Sequence, residues 1–313
     1  MDMKKTKNII ICGCGNIGLR HAQGLVKSKY KINLFLIDKS QKKINFLIRN
    51  LNNNKNLKVV YQSKKIEKIT KRINLLILST DSFKRYELLK KILIFNHVEY
   101  IILEKFAFLK KKHFKDILSL NKKIWVNTPN RVYESYKKLK KKLKNKKINM
   151  EVSGNRWNMA SNIIHYLDLF HFLNNFKKIK SQEIALDKKI FDSKRKGYKE
   201  ISGSIKLYTE TNNLILFEDS RNIKHDGVRI KIFNKYQNYL IDEKTMSCIN
   251  GYRKTSFKIP FQSNLTNKYV DKIFSTGRCD LPKLKISSYL HIIIINILNN
   301  FTLYKNKNFF PVS

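Results

Sequence analysis

Glycine and proline are scarce in this chain, with ten and four among 313 residues. So few of either exclude collagen-like and low-complexity architectures, and no Pro-rich linker divides the chain. The four cysteines form no metal-like set. Cys12 and Cys14 are separated by a single residue, too close for a zinc pair or a usual redox pair, while Cys248 and Cys279 stand alone. Small loop-filling thiols in a reducing cytoplasm are the expectation. Long apolar runs are missing too: the longest aliphatic block, Ile292–Leu298, falls far below the roughly 20 residues that span a bilayer. The first apolar run, Ile9-Ile10-Ile11, is too short for a signal peptide and leads straight into glycines.

Acidic residues are the remaining deficit, 23 against 65 basic ones, for a net charge of +42. That charge invites a nucleic-acid reading, but its texture argues otherwise. Eleven arginines leave 54 lysines. Lysine, asparagine and isoleucine abound while glycine, proline and alanine are rare, the pattern that an A/T-rich coding sequence imposes. The lysines scatter over the whole chain instead of gathering with aromatics in one patch. The densest run, Lys137 to Lys147, keeps Leu139 and Leu143 four apart, as in a helix with one buried edge and a solvated lysine face. The charge still favours anionic ligands and salt-sensitive nonspecific attraction. No specific nucleic-acid partner and no membrane partner is expected.

What is present is concentrated. Three of the ten glycines, Gly13, Gly15 and Gly18, follow the Ile9–Ile11 run with G-x-G-x-x-G spacing, and a helix-like stretch begins at once. In that pattern the first glycine permits the tight turn, the second lets a pyrophosphate approach the backbone, and the third lets helix and strand pack closely. The helix N-terminus offers unpaired N–H groups and a positive dipole end to phosphates. A second apolar run, Ile32–Ile37, ends in Asp38, 20 positions after Gly18, where a carboxylate takes the adenosine ribose hydroxyls. Asp38 favours NAD by repelling a 2′-phosphate, and the neighbouring Lys39 keeps NADP open.

Apolar runs alternate with helix-like stretches through residue 127. Residues 9–12, 34–37, 57–61, 75–78, 100–103 and 124–126 read as strands, and 18–27, 42–50, 83–95 and 111–120 as helices. Near-continuous aliphatic strands between helices predict a Rossmann-type α/β domain with a doubly wound parallel sheet over residues 1–128. Residues 130–144 read as one helix and 155–172 contain another. From about 182, period-2 segments at 203–209, 214–218, 228–233 and 239–242 predict a mostly antiparallel, open-faced sheet. Residues 129–313 are thus expected to form an α+β domain, with 287–298 as a closing helix. A chain of 313 residues, 42% hydrophobic, is long enough for two such cores.

Two further stretches combine with the glycine turn. Ile101-Ile102-Leu103-Glu104-Lys105 places a Glu-Lys pair at a strand's carboxyl end, and His165 lies on the helix that follows Asn155-Arg156-Trp157. Helical spacing puts Ser161, His165 and Asp168 on a shared side. In this combination the chain resembles the Gfo/Idh/MocA oxidoreductases, the family of glucose–fructose oxidoreductase and inositol dehydrogenase. The matching pieces run in that family's order: residues 13–21, Asp38, Ser79-Thr80, Glu104-Lys105, Asn130-Arg131 and His165 to Asp168. The helix segment is similar to the branch reading W-G-x-x-C-N-x-x-H-x-x-D, associated with cell-surface carbohydrate metabolism. The resemblance covers about residues 7–175, and beyond 180 rests on general pattern and on Leu281-Pro282 followed by His291.

The resemblance implies NAD(P)-dependent hydride transfer at a hydroxyl carbon of a sugar, polyol or derivative such as a sugar nucleotide. It implies catalytic roles for His165 as base and Lys105 as the cation that orients the hydroxyl. Cofactor contacts fall to Gly13, Gly15, Asn16, Ile17, Gly18, Asp38, Ser79, Thr80 and Glu104, with Glu104 also positioning Lys105. Substrate contacts fall to Arg131, Arg156, Asn162 and Asp168, the arginines by bidentate grip on an anionic group. The resemblance also implies that the 129–313 domain binds substrate and carries oligomerisation, as a homodimer or homotetramer. Three departures stand out: Phe106 where the family has proline, Ser161 where many members carry aspartate, and Thr80-Asp81 with Arg85 where Thr-Pro and a later histidine are common. They leave a non-catalytic dinucleotide-binding sensor or assembly protein as the alternative.

Overall fold

The computed structural model describes residues 6–51, 55–69, 72–144, 146–220, 227–300 and 309–312. Two compact units emerge, Met1–Asn127 with Pro260–Ile292, and Thr128–Ile259 with Ile293–Ser313. The return of 260–292 to the first unit differs from a simple division at residue 128.

The first unit holds strands β1 (Lys7–Cys12), β2 (Ile32–Ile37), β3 (Leu57–Ser63), β4 (Ile73–Leu78), β5 (Val98–Glu104) and β6 (Lys123–Asn127). All neighbours are parallel, in the order β3-β2-β1-β4-β5-β6. Helices α1 (Asn16–Leu25), α2 (Gln41–Arg49), α3 (Arg85–Phe95) and α4 (Lys111–Ser119) alternate with them. Ile9, Ile10, Ile11 and Leu75 to Leu78 are wholly buried, as expected for strands covered on both faces. The order reverses between β1 and β4, so the loops after those two strands share the switch point where such sheets bind ligands. The doubly wound parallel sheet read from the sequence is therefore present.

The second unit opens with a 3-10 turn, Pro129–Val132, then α5 (Glu134–Leu143), β7 (Asn149–Asn155) and α6 (Met159–Asn174). The single helix expected over 130–144 is split at Tyr133, whose backbone is extended. In α5, Tyr136, Leu139 and Leu143 are buried and the lysines face outward, as the leucine spacing indicated. Strands β8 (Ile179–Leu186), β9 (Phe191–Asp192), β10 (Lys199–Glu200), β11 (Gly203–Thr209), β12 (Leu214–Asp219), β13 (Gly227–Phe233), β14 (Asn238–Asp242), β15 (Ser247–Asn250) and β16 (Arg253–Ser256) follow. Seven of them join β7 in one eight-stranded sheet, β16-β15-β14-β13-β7-β12-β11-β8, antiparallel except for the β7–β12 pair.

Period-2 alternation gives this sheet two unlike faces. Val152, Ile205, Phe217, Ile230 and Ile241 are fully buried. On the other face, register aligns Lys206, Leu216, Glu151, Lys231, Leu240 and Ile249 in a cross-strand row that is half-buried or exposed. The chain closes with a 3-10 turn, Gln262–Asn264, α7 (Thr266–Thr276) and α8 (Leu284–Asn300). Among the described residues no helix is long and apolar enough to cross a membrane.

Candidate functional site

The glycine turn of the first unit is built as its spacing requires. Gly13 has φ +99°, and a Cβ there would lie 2.8 Å from backbone atoms of Ser79 and Thr80. A Cβ on Gly18 would lie 2.0 Å from the Gly13 carbonyl oxygen. Gly15 is different: a Cβ there would meet nothing within 4 Å. No side chain caps α1, so the turn presents first-turn N–H groups beside open space, the requirement for an anion cradle. Asn16 is exposed and Ile17 half-buried at the mouth.

Asp38 follows β2, and its Oδ2 accepts the Cys14 N–H at 2.8 Å while Oδ1 accepts the Ser40 N–H at 2.9 Å. Each oxygen keeps acceptor capacity beyond those bonds. Ser79 donates its hydroxyl to the Gly13 carbonyl at 2.7 Å, which ties the end of β4 to the turn. Thr80 Oγ1 is buried and has no hydrogen-bond partner among the described residues. Burial and the Asp38 charge push the Cys12 thiol up to about 12, so it stays protonated and inert.

Glu104, at the end of β5, is held rather than free. Its Oε1 accepts His21 Nε2 at 2.8 Å and Asn127 Nδ2 at 2.5 Å. His21 Nδ1 in turn lies 3.0 Å from the Thr266 hydroxyl. Burial works to raise the Glu104 pKa, but the His21 and Asn127 hydrogen bonds and the Arg85 charge outweigh it and hold the carboxyl below its usual range.

Lys105 is half-buried, and its peptide bond to Phe106 is cis. The next two residues are gripped from two helices. Arg85 of α3, buried among them, donates to the carbonyls of Thr80 and Phe106, and to that of Ala107 at 3.4 Å. His291 of α8 accepts the Ala107 N–H on Nε2 at 3.2 Å and reaches the Ser287 carbonyl with Nδ1 at 2.7 Å. Nδ1 must therefore carry the proton. Arg85 and His291 thus fix the loop that follows the candidate lysine, a task the sequence did not assign to them.

Burial, together with the positive charges of Arg85 and Lys105, drives the His291 pKa down to about 3. An unfolded histidine titrates near 6.5, so between pH 6.5 and 3 the unfolded chain binds the extra proton. Stability is then lost on acidification through that window, at up to roughly 1.4 kcal/mol per pH unit from this group. Urea unfolding of wild type and His291→Gln at pH 4 to 7 reads it: the variant is less stable at pH 7 but shows the flatter pH dependence. Parallel curves would mean that His291 is not held neutral in the fold.

In the second unit two of the residues expected at the substrate, Arg131 and Asp168, pair with each other. Arg131 Nε and Nη2 donate to Asp168 Oδ2 and Oδ1, each at 2.6 Å, and both side chains are buried. Burial raises the Asp168 pKa, with Arg131 and Thr128 opposing it. The two groups expected at substrate satisfy each other and bind the 3-10 turn to α6. Asn162 donates its side-chain amide to the Trp157 carbonyl at 2.8 Å, closing the turn before α6. Trp157 is buried and donates Nε1 to the Glu218 carbonyl at 2.8 Å, a packing role. Arg156 alone of the four expected substrate contacts is exposed; its backbone N–H is held by Asp219 Oδ1 at 2.8 Å.

His165 is half-buried on α6. One turn earlier, the Ser161 hydroxyl donates to Glu200 Oε1, and the Ser161 N–H lies 3.3 Å from Glu200 Oε2. Glu200 carried no sequence signal, since it sits in a two-residue strand outside any motif.

No protein-family model and no curated protein sequence matches the chain. Solved structures do. UDP-N-acetylglucosamine 3-dehydrogenase from Acidithiobacillus ferrooxidans aligns with TM-score 0.69 at 10% identity, covering 93% of this chain and 96% of that one. Biliverdin reductase from Synechocystis gives 0.68 at 12% identity, covering 91% and 96%. Scyllo-inositol dehydrogenase from Lactobacillus casei gives 0.67 at 13% identity, covering 93% and 95%. At such identities the likeness is one of fold, and it spans both units of the chain.

Proposed function

We propose that the chain is a nicotinamide-dinucleotide-dependent oxidoreductase acting on a hydroxyl carbon of a sugar, polyol or sugar derivative. The observation that carries this reading is the glycine turn, where open space at Gly15 lies beside uncapped first-turn N–H groups of α1 and the anchored Asp38 carboxylate. The fold likeness points the same way. The Lactobacillus casei neighbour was solved with NAD(H) and scyllo-inositol, and the Synechocystis one with biliverdin and NADP+.

In this reading Gly13, Gly15, Asn16, Ile17 and Gly18 hold the pyrophosphate. Asp38 accepts the ribose hydroxyls and favours NAD. The Thr80 hydroxyl, without a partner among the described residues, contributes a hydrogen bond, while Ser79 and Glu104 act by shaping the turn and the Lys105 loop. When bound, the nicotinamide supplies hydride acceptance and donation. The Lys105 ammonium orients the substrate hydroxyl and stabilises negative charge on its oxygen. His165 takes the hydroxyl proton on a ring nitrogen and returns it in the reverse direction. Arg156 is the cation for an anionic substrate group. A cytoplasmic homodimer or homotetramer assembling through the open face of the second unit's sheet completes the proposal.

Fluorescence titration with NADH and NADPH tests the cofactor, followed by a panel of sugars, polyols and sugar nucleotides with Lys105→Ala and His165→Ala as controls. Saturable NADH binding is expected. His165→Ala should retain that affinity while turnover falls about 10²–10⁴-fold. No binding of either cofactor by folded protein would end the oxidoreductase reading. Binding without turnover across the panel would move the chain to the sensor class.

A further inference from the structure

We infer that Glu200 is the acidic partner of His165, a positioning residue brought to the histidine's face of α6 by Ser161. The inference rests on the reading of His165 as the base. It starts from an unusual helix entry. The residue before α6, Asn158, has φ +59° and forms no side-chain cap. Glu200 supplies both bonds instead, one carboxylate oxygen facing the Ser161 N–H and the other accepting its hydroxyl. The carboxylate is delivered from another part of the unit and is buried there. Its strand β10 is pinned by pairing with β9 and by the Lys199 N–H bonded to the Pro311 carbonyl at 2.8 Å.

Capping alone does not call for a buried carboxylate, because a serine, threonine or asparagine oxygen at the entry serves equally well. Burying a carboxylate is costly, which calls for a charged role. Ser161 and His165 are an i,i+4 pair, so their side chains meet on one face, about 5–6 Å apart at Cβ. A carboxylate held on Ser161 therefore belongs to the imidazole's face of α6, and a negative charge on that face favours an imidazolium, the state the base reaches on taking a proton.

Among the described residues, three other acidic groups at α6 have partners of their own. Asp168 is taken by Arg131 of the 3-10 turn. Glu243, beyond β14, accepts the Tyr166 hydroxyl at 2.9 Å. Asp219 of β12 holds the Arg156 N–H. Near the far end of the helix, burial with Arg131 and Lys140 lowers the His171 pKa to about 4. His171, near these cations and on the same helix, is an internal reference for His165.

NMR titration of the imidazole Cε1 protons in the full-length protein tests this, with the His165 signal assigned by its loss in His165→Gln. Glu200→Gln should lower the His165 pKa by about one unit and leave His171 in place. Ser161→Ala, which loosens the carboxylate, should lower it by less. Ser161→Asp in the Glu200→Gln background should restore it. In an active enzyme the acid limb of kcat/KM moves down by the same amount. An unchanged His165 titration in Glu200→Gln, or in Ser161→Ala if the first variant does not fold, overturns the inference and leaves Glu200 a helix cap. The titration needs neither cofactor nor substrate, so its failure is separate from that of the oxidoreductase reading, which NADH binding decides.

Discussion

Gly15→Leu is expected to leave thermal stability within a degree or two of wild type and to weaken NADH binding at least about 100-fold, which is ~2.7 kcal/mol. Gly18→Ala, a far smaller change, is expected to cost more than about 3 kcal/mol of stability. The difference lies in what each new Cβ meets. At Gly15 there is only open space within 4 Å, and its backbone is extended, so a leucine fits the fold and fills the place a pyrophosphate needs. At Gly18 the Cβ would fall 2.0 Å from the Gly13 carbonyl oxygen. Helix propensity alone would make Gly→Ala favourable by about 1 kcal/mol. The overlap is with backbone, which cannot rotate away, so the steric term wins. Differential scanning calorimetry and NADH fluorescence on the two variants read both effects. Full NADH affinity in a folded Gly15→Leu protein would place the cofactor elsewhere.

The first unit was legible because its signals are local. Buried aliphatic strands, glycine spacing and an acid after β2 are each confined to a few residues, and the parallel order follows from their alternation with helices. The second unit was less so. Strand β7 lies in the middle of its sheet between β13 and β12, yet among its residues only Met150 and Val152 are apolar, and a central strand with so weak a pattern cannot be told from a loop. The same limit hid the role of 260–292. Thr266, Gln262 and His291 join His21, Asn127 and Ala107 across more than a hundred residues of chain, and no periodicity encodes such partnerships. Ser161 stands where many members of the resembled family carry aspartate, and its contact with Glu200 of β10 comes from 39 residues further on, beyond any local pattern. Arg131 and Asp168 lie 37 residues apart, so their residue types and order are visible in the sequence while their mutual contact is not.

That mutual contact sets the second large effect. Arg131→Met leaves the Asp168 carboxylate buried without its partner, and a loss of about 3–5 kcal/mol is expected. Asp168→Leu strands the guanidinium and should cost a similar amount. The double variant should be far less destabilised than the sum, because neither charge remains to be desolvated, and a coupling of about 2 kcal/mol or more is expected from the cycle. The pH dependence carries a definite sign. Burial already pushes the Asp168 pKa up against Arg131 and Thr128, and removing Arg131 pushes it further. A folded pKa above the unfolded one means stability is retained at low pH and lost as pH rises through the folded value. Arg131→Met should therefore be less destabilised at pH 5 than at pH 8, by urea unfolding at both. Strictly additive single and double losses would show instead that the pair does not act as a unit, and would return Arg131 to the candidates for binding an anionic substrate.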